Sequence, residues 1–179
     1  QETCDDRKDL DAVLHIAGIA GPLTQITELS ESEWNRVLNT NLTSAFLMAR
    51  AAVPHFRPGA IGKIVLTSST WGVVGSRRVP VSAYAASKAG ILGMTRTWAL
   101  ELGPKGVRVN TLCPTFIETE LTRPTLSDPA MRAWIEDKIA LGRIGRVEDV
   151  MGAVVFLCSD ASALVTGSAL MLDGGWTAA

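Results

Sequence analysis

The chain has 179 residues, of which 47% are hydrophobic, and a mean hydropathy of +0.21. Those values exclude a disordered chain and suit one domain over residues 1–179 with a sizeable buried core. Lys and Arg number 17 against 18 Asp and Glu, a net charge of −1, so no field of one sign exists to recruit nucleic acid or an anionic membrane. The longest apolar run, Met151 to Cys158, is too short to cross a bilayer. Three cysteines, Cys4, Cys113 and Cys158, are odd in number and widely spaced. They form neither a disulfide framework nor a metal-type pair. With only His15 and His55 to join them, no metal is expected. Thiols of this kind point to a reducing compartment, the cytoplasm.

The chain opens on Gln1, no signal peptide is expected from its first residues, and it reaches an apolar strand within about ten residues. That strand, Asp11 to Gly18, is apolar enough to lie centrally in a parallel sheet. His15 within it reads as a hydrogen-bonded core histidine, with a ligand or base as the alternative. Ser30-Glu31-Ser32-Glu33 is a capping box that opens a helix. Its inward stripe is Trp34, Val37, Leu38, Leu42, Ala45, Phe46 and Ala49. Asn41 falls on the same stripe, and a buried amide needs partners. It is either a structural polar plug or a group that organises a water beside an active site.

Pro54 to Gly62 breaks the helix. The run Ile64-Val65-Leu66-Thr67 then predicts a buried strand that delivers Ser69 to its carboxyl end, where parallel α/β sheets place their ligands. The loop Thr70 to Val81 follows and carries Trp71, Arg77 and Arg78. An arginine there could receive a carboxylate or phosphate, or simply be solvated. Ser82 to Leu102 reads as a helix with Tyr84 and Lys88 four apart, on one face about 5–6 Å from each other. An ammonium beside a phenol lowers the phenol's pKa from about 10 toward neutrality, which would make Tyr84 a general acid/base. The same spacing also arises when a lysine stem merely packs along a tyrosine ring.

Gly103-Pro104-Lys105-Gly106 stops that helix, and Val107 to Cys113 is the next strand. Glu118 and Glu120 read as solvated acids. Asp128-Pro129 caps another helix with the face Met131, Trp134, Ile135 and Ile139. Val147, Val150, Met151, Val154, Val155 and Cys158 form the cleanest helical stripe in the chain. After Thr166-Gly167 the last strand, Ala169 to Leu172, ends in Asp173-Gly174-Gly175-Trp176.

Taken in order, Ile64-Val65-Leu66-Thr67-Ser68-Ser69, Tyr84-Ala85-Ala86-Ser87-Lys88-Ala89-Gly90, Val107-Arg108-Val109-Asn110 with Cys113-Pro114, and Asp173-Gly174-Gly175 closely resemble the short-chain dehydrogenase/reductase family. The resemblance runs from Leu10 to the end. It implies an α/β fold, the second half of a Rossmann-type parallel sheet of four strands with helices on both faces. It implies NAD or NADP as cofactor and interconversion of a secondary alcohol and a ketone. Tyr84 is then the proton donor or acceptor. Lys88 lowers its pKa and holds the nicotinamide ribose, and Ser69 bonds the substrate oxygen. Asn41, in Asn39-Thr40-Asn41-Leu42-Thr43, holds the water of a proton relay.

By the same resemblance Ala17 and Gly18 lie against the cofactor ribose, although His15 and Ile16 stand where the family has two asparagines. Pro114, Thr115, Ile117 and Thr119 lie along the nicotinamide and pyrophosphate, with Thr115 in place of the usual glycine. Trp71 borders the substrate with Ser69 and Tyr84, and the helix after Asp128 is a mobile lid. The ending Leu172-Asp173-Gly174-Gly175-Trp176-Thr177-Ala178 looks like that of sugar- and polyol-oxidising members. Arginines in the substrate loop would suit a sugar acid.

Neither G-x-G-x-x-G nor the family's own glycine-rich turn occurs, although dinucleotide binding calls for one. The family pattern places two βα units and a strand before Leu10, roughly 70 residues at about 30 per βαβ unit. The chain is therefore expected to be the C-terminal part of a longer protein. On that expectation the parent forms a homodimer or homotetramer through its long helices, while residues 1–179 alone bind no cofactor and self-associate. Two other readings remain open: a 3-oxoacyl-thioester reductase of the same family, and a non-catalytic fragment unable to bind cofactor.

Overall fold

The computed structural model describes residues 9–178, so Cys4 lies outside the described residues. The first strand, β1 (Ala12–His15), leads through a loop to α1 (Glu31–Leu38), a π-helical turn (Asn39–Thr43) and α2 (Ser44–Ala52). Then follow β2 (Gly62–Thr67), α3 (Ser82–Leu102) and β3 (Val107–Pro114). The chain closes with α4 (Arg123–Leu126), α5 (Pro129–Lys138), α6 (Val147–Cys158) and β4 (Ala169–Leu172). The four strands form one parallel sheet in the order β1-β2-β3-β4. Helices cover both faces, the α/β arrangement the sequence implies.

Ser30 caps α1, its hydroxyl accepting from the Glu33 N–H at 3.2 Å. The return half of the expected capping box does not form, because the Glu33 carboxylate turns to Arg36 at 2.7 Å. Past α1 the buried line runs Val37, Asn41, Ala45, Ala49, a spacing of four. The π turn accounts for this. It places one more residue in the turn than an α-helix would, and everything beyond it is rotated. Phe46, expected inside, is consequently 42% exposed.

α2 and α3 pack on one face of the sheet, where Ala45, Ala49, Ile64, Leu66, Ile91 and Val109 form the largest core cluster. On the other face α6 brings Leu157 against Val65 and Leu112, with Val150 and Val154 beside them. The expected α6 stripe is thus only half right. Its sheet side is Val150, Val154 and Leu157, while Val147 and Met151 are each 50% exposed and Val155 62%. Arg108 finishes this helix from below, donating to the Leu157, Ser159 and Val165 carbonyls at 3.1 Å each. The Ser162 hydroxyl also donates to the Leu157 and Ser159 carbonyls, and the Asn110 amide to that of Val165, so the segment leaving α6 is pinned to β3 by several donors. A third cluster, beyond the strand ends, joins Phe116, Leu126, Ile135, Ile139 and Ile144 to Trp71, Trp134 and Trp176.

Candidate active site

Ser69 stands two residues past β2, its backbone extended, and caps the short turn Thr70–Gly72 by accepting from the Trp71 N–H at 3.2 Å. That turn rests directly on α3. The Ser68 hydroxyl donates to the Lys88 carbonyl at 2.7 Å. A Cβ on Gly72 would lie 2.8 Å from the Lys88 carbonyl carbon and 2.6 Å from the Ser68 hydroxyl. Only glycine lets the serine strand approach the tyrosine–lysine helix this closely. One turn of α3 then presents Tyr84 and Lys88 together, with Nζ 5.6 Å from the phenol ring centre and donating to the Thr67 carbonyl at 2.8 Å.

The electrostatics differ from the sequence expectation. Burial pushes the Tyr84 phenol above its ordinary value, with Ser69 pulling the other way. Burial also brings Lys88 down to about 8. Lys88 therefore does not pull the resting phenol toward neutrality: its ammonium is itself penalised by desolvation and its proton is directed at Thr67. Next to it, burial, against the pull of Ser68 and Lys88, pushes the Cys113 thiol up to about 11, where it is a neutral packing group.

Asn41 is fully buried, with both amide hydrogens donated and the oxygen accepting one bond. Its Oδ1 accepts from the Ile19 N–H at 2.8 Å, and its Nδ2 donates to the Ile19 carbonyl and to the Ser87 hydroxyl at 2.9 and 3.0 Å. Ser87 in turn donates to the Tyr84 carbonyl at 2.7 Å. The side chain thus ties the loop after β1 to the helix that carries Tyr84. Ser87, a buried small hydroxyl three residues after Tyr84, was not singled out from sequence; its position on the inward face of α3 was the available signal. His15 is the core histidine expected. Its Nε2 lies 2.8 Å from the Ser44 hydroxyl. Ser44 gives its own proton to the Thr40 carbonyl, so Nε2 carries the histidine's hydrogen. Burial lowers its pKa, with Lys88 adding to the effect.

Two cavities adjoin at this centre. The first, about 310 Å³, is bordered by Gly18, Ser69, Tyr84, Lys88, Pro114, Thr115, Ile117 and Thr119. Of the residues expected at the cofactor, only Ala17 is absent from its lining; it is exposed on the loop after β1. The second cavity, about 250 Å³, is bordered by Trp71, Ser69 and Tyr84 as expected, together with Val79, Phe116 and the loop residues Ala20, Gly21 and Leu23. Ser69, Tyr84 and Thr115 line both. So do Leu121 and Thr122, which sequence reading missed because nothing in a Leu-Thr pair marks a cavity wall. Arg77 and Arg78 line neither and are exposed; the Arg78 guanidinium lies 5.4 Å from the Trp134 ring. A chain of aromatic rings runs outward from the second cavity, which Trp71, Tyr84 and Phe116 line. Trp71 meets Tyr84 at 6.2 Å and Phe116 at 5.2 Å, and Phe116 and Trp134 meet Trp176 at 5.9 and 5.7 Å.

The first cavity fits a nicotinamide and its ribose. Gly18 leaves a notch whose filling by a Cβ would come 3.4 Å from both Asn41 Oδ1 and Lys88 Nζ. An ammonium has three donors, and Lys88 makes one hydrogen bond within the protein. Thr115 carries a buried hydroxyl with no partner, at the position where the family pattern has glycine.

Comparison with known proteins bears on the same residues. A family model described as enoyl-(acyl carrier protein) reductase matches residues 1–177. The chain is 39% identical over 166 residues to the 3-oxoacyl-[acyl-carrier-protein] reductase FabG of Thermotoga maritima, covering 93% of this chain and 65% of that protein. It is 41% identical over 152 residues to the 2-dehydro-3-deoxy-D-gluconate 5-dehydrogenase of Escherichia coli, covering 84% and 59%. It therefore spans about two thirds or less of the length of these relatives. The crystal structure of a gluconate 5-dehydrogenase from Burkholderia cenocepacia in complex with NADP and tartrate superposes with a TM-score of 0.88 at 31% identity, covering 94% of this chain and 65% of that one. The chain belongs to the short-chain dehydrogenase/reductase family.

Proposed function

We propose that this chain carries the catalytic and nicotinamide-binding part of an NAD- or NADP-dependent oxidoreductase that interconverts a secondary alcohol and a ketone. The observation that carries the reading is that Ser69 and Tyr84 line both adjoining cavities, with Lys88 on the side of the first. A substrate carbon in one cavity and a cofactor ring in the other would meet at those two hydroxyls.

The nicotinamide, when bound, supplies or accepts the hydride. The chain's own residues handle the proton and the geometry. In reduction the Tyr84 hydroxyl gives its proton to the oxygen of the forming alcohol while Ser69 donates a hydrogen bond to that oxygen; in oxidation the proton returns to Tyr84. Lys88 is held by Thr67 and directs its remaining donors at the ribose. Asn41 fixes the Ile19 loop and, through Ser87, the turn bearing Tyr84. Gly18, Pro114, Thr115, Ile117 and Thr119 form the walls for the nicotinamide half. With the resting phenol above its ordinary pKa, the proton is in place for reduction at neutral pH. Oxidation, which needs the phenolate, should speed up as pH rises into the alkaline range.

The substrate is read as a sugar, polyol or sugar acid: the names of the gluconate-oxidising relatives support the sugar acid, and the ending Leu172 to Ala178 supports the sugar and polyol. A 3-oxoacyl-thioester reductase is the second reading, favoured by the Thermotoga relative. The protein is proposed to work in the cytoplasm as a homodimer or homotetramer. The exposed Leu100 of α3 and Val155 and Phe156 of α6 support association through those helices. Among the described residues no helix is long and apolar enough to cross a membrane.

The test is turnover by the complete protein with NAD and NADP, on a panel of sugars, polyols, sugar acids and a 3-oxoacyl thioester, beside Tyr84→Phe. The substitution should lower kcat by about 10²–10⁴-fold, the range of positioned acid–base catalysis, and leave cofactor Kd within about twofold, since the ring's packing survives. Substantial residual turnover would remove Tyr84 from the mechanism, and a panel without any turnover would remove the reading.

A further inference from the structure

The second cavity has an electrical character that narrows the substrate. Among the described residues that line it there is no Asp, Glu, Lys, Arg or His. Its apolar walls include Leu23, Val79, Val81 and Phe116, and its polar groups are neutral hydroxyls such as those of Ser69, Tyr84 and Thr115. Arg77 is exposed and lines neither cavity, and the other nearby cations are engaged elsewhere. Arg123 pairs with Glu120, and Arg132 binds Glu118 at 2.7 Å and Glu136 at 3.0 Å. Arg78 lies against Trp134 outside the lining. Lys88 belongs to the neighbouring cavity and donates to Thr67. A carboxylate drawn against these walls sheds part of its water without gaining a counter-charge, which disfavours it relative to a neutral group of the same shape. At about 250 Å³ the space also lies below the usual range of about 300–1,000 Å³ for drug-sized ligands.

We propose that the substrate is compact and uncharged around its reacting carbon: a neutral hydroxylated alcohol or its ketone, selected over the corresponding sugar acid. The hydroxyls of the wall serve a neutral oxygen, and Thr115, whose buried hydroxyl has no partner in the protein, is the one free to change its rotamer toward it. This rests on the oxidoreductase reading above.

The test uses matched pairs that differ only in charge. The complete protein is given D-gluconate against D-gluconamide, and cis-4-hydroxycyclohexanecarboxylate against its carboxamide, each with NAD and with NADP. The amide is expected to have at least a tenfold higher kcat/KM than the acid in each pair that reacts. Leu121→Arg places a cation on the rim at a half-exposed position and should bring the ratio toward one by improving the acid. Arg77→Ala and Arg78→Ala should leave the ratio within about twofold. An acid that reacts as well as its amide in the unaltered protein would overturn the inference while leaving the oxidoreductase reading intact. So would a selective loss of acid turnover in Arg78→Ala, which would show that the loop carries an arginine into the cavity. Absence of hydride transfer from all four compounds and from the wider panel would defeat the oxidoreductase reading, and this inference with it.

Discussion

The two faces of the sheet solve opposite problems. Against α2 and α3, Ile64, Leu66, Ile91 and Val109 are buried to within 0% exposure in a dry cluster. Against α6 the same strands meet only Leu157 as a fully buried partner, and Val147, Val150, Met151 and Val154 instead border the first cavity. The closed face holds the site's foundations; the open face supplies the space. Asn41 and Lys88 belong to both, since each is rooted in helices of the closed face and brought beside Gly18 at the cavity.

The largest effect should come from breaking the closed face. Leu66→Ala should cost about 2–5 kcal/mol in denaturant unfolding, because a sealed cluster cannot collapse around the void. A cost below 1 kcal/mol would mean that this face is less tightly packed than the structure indicates. Next is the pH dependence that Lys88 contributes. Its folded pKa of about 8 lies below its ordinary 10.5. Between those values the unfolded chain holds the proton and the folded chain does not, so stability from this group rises with pH across the window. Below about 8 both states are charged, and the folded state bears the full desolvation cost. Relative to Lys88→Met, the native chain should gain about 3 kcal/mol from pH 8 to pH 10.5. A flat difference across that range would show that Lys88 is solvated.

A smaller loss is expected from Asn41→Ala, which leaves the Ile19 amide and carbonyl and the Ser87 hydroxyl short of partners, at about 1–3 kcal/mol. Hydrogen exchange should quicken at the Ile19 amide in that variant; unchanged protection would refute the clamp. The smallest effect belongs to the open face. Met151→Ala should change stability by no more than about 0.5 kcal/mol, and a loss as large as that of Leu66→Ala would erase the contrast between the faces.

How far the sequence could be read follows the same division. The strand ending at Thr67, the helix Ser82 to Leu102 and the strand from Val107 stand where their periodicity and stop signals put them, because each is buried by its own pattern. That Tyr84 and Lys88 share one face of α3 and that Ser69 follows β2 was legible, because i, i+4 spacing and a buried strand pattern fix those placements. The inward position of Phe46 was misread because the π turn at Asn39–Thr43 depends on the Ile19 loop that Asn41 holds, a contact 22 residues away in sequence. The phenol's pKa was misread for a related reason: spacing gives proximity to Lys88, but not the burial that weakens both groups. The neutral second cavity lay beyond sequence reading, since Leu121, Thr122 and Val79 gain meaning only when three separate loops converge.

The linked rings that run out from the second cavity give the protein an optical property of its own. Three of its five tryptophans, Trp71, Trp134 and Trp176, lie in that chain, and Trp71 reaches edge-on to Tyr84. Light absorbed by Trp71 is thus deposited beside the Tyr84 ring, and light absorbed by Trp176 or Trp134 two or three rings further along the chain. A dihydronicotinamide in the adjoining cavity, which absorbs where indole emits, would drain that excitation by energy transfer. Entry of a reduced cofactor should therefore darken the intrinsic emission of the protein, and Trp71→Phe should blunt the response more than loss of the distant Trp34 or Trp98.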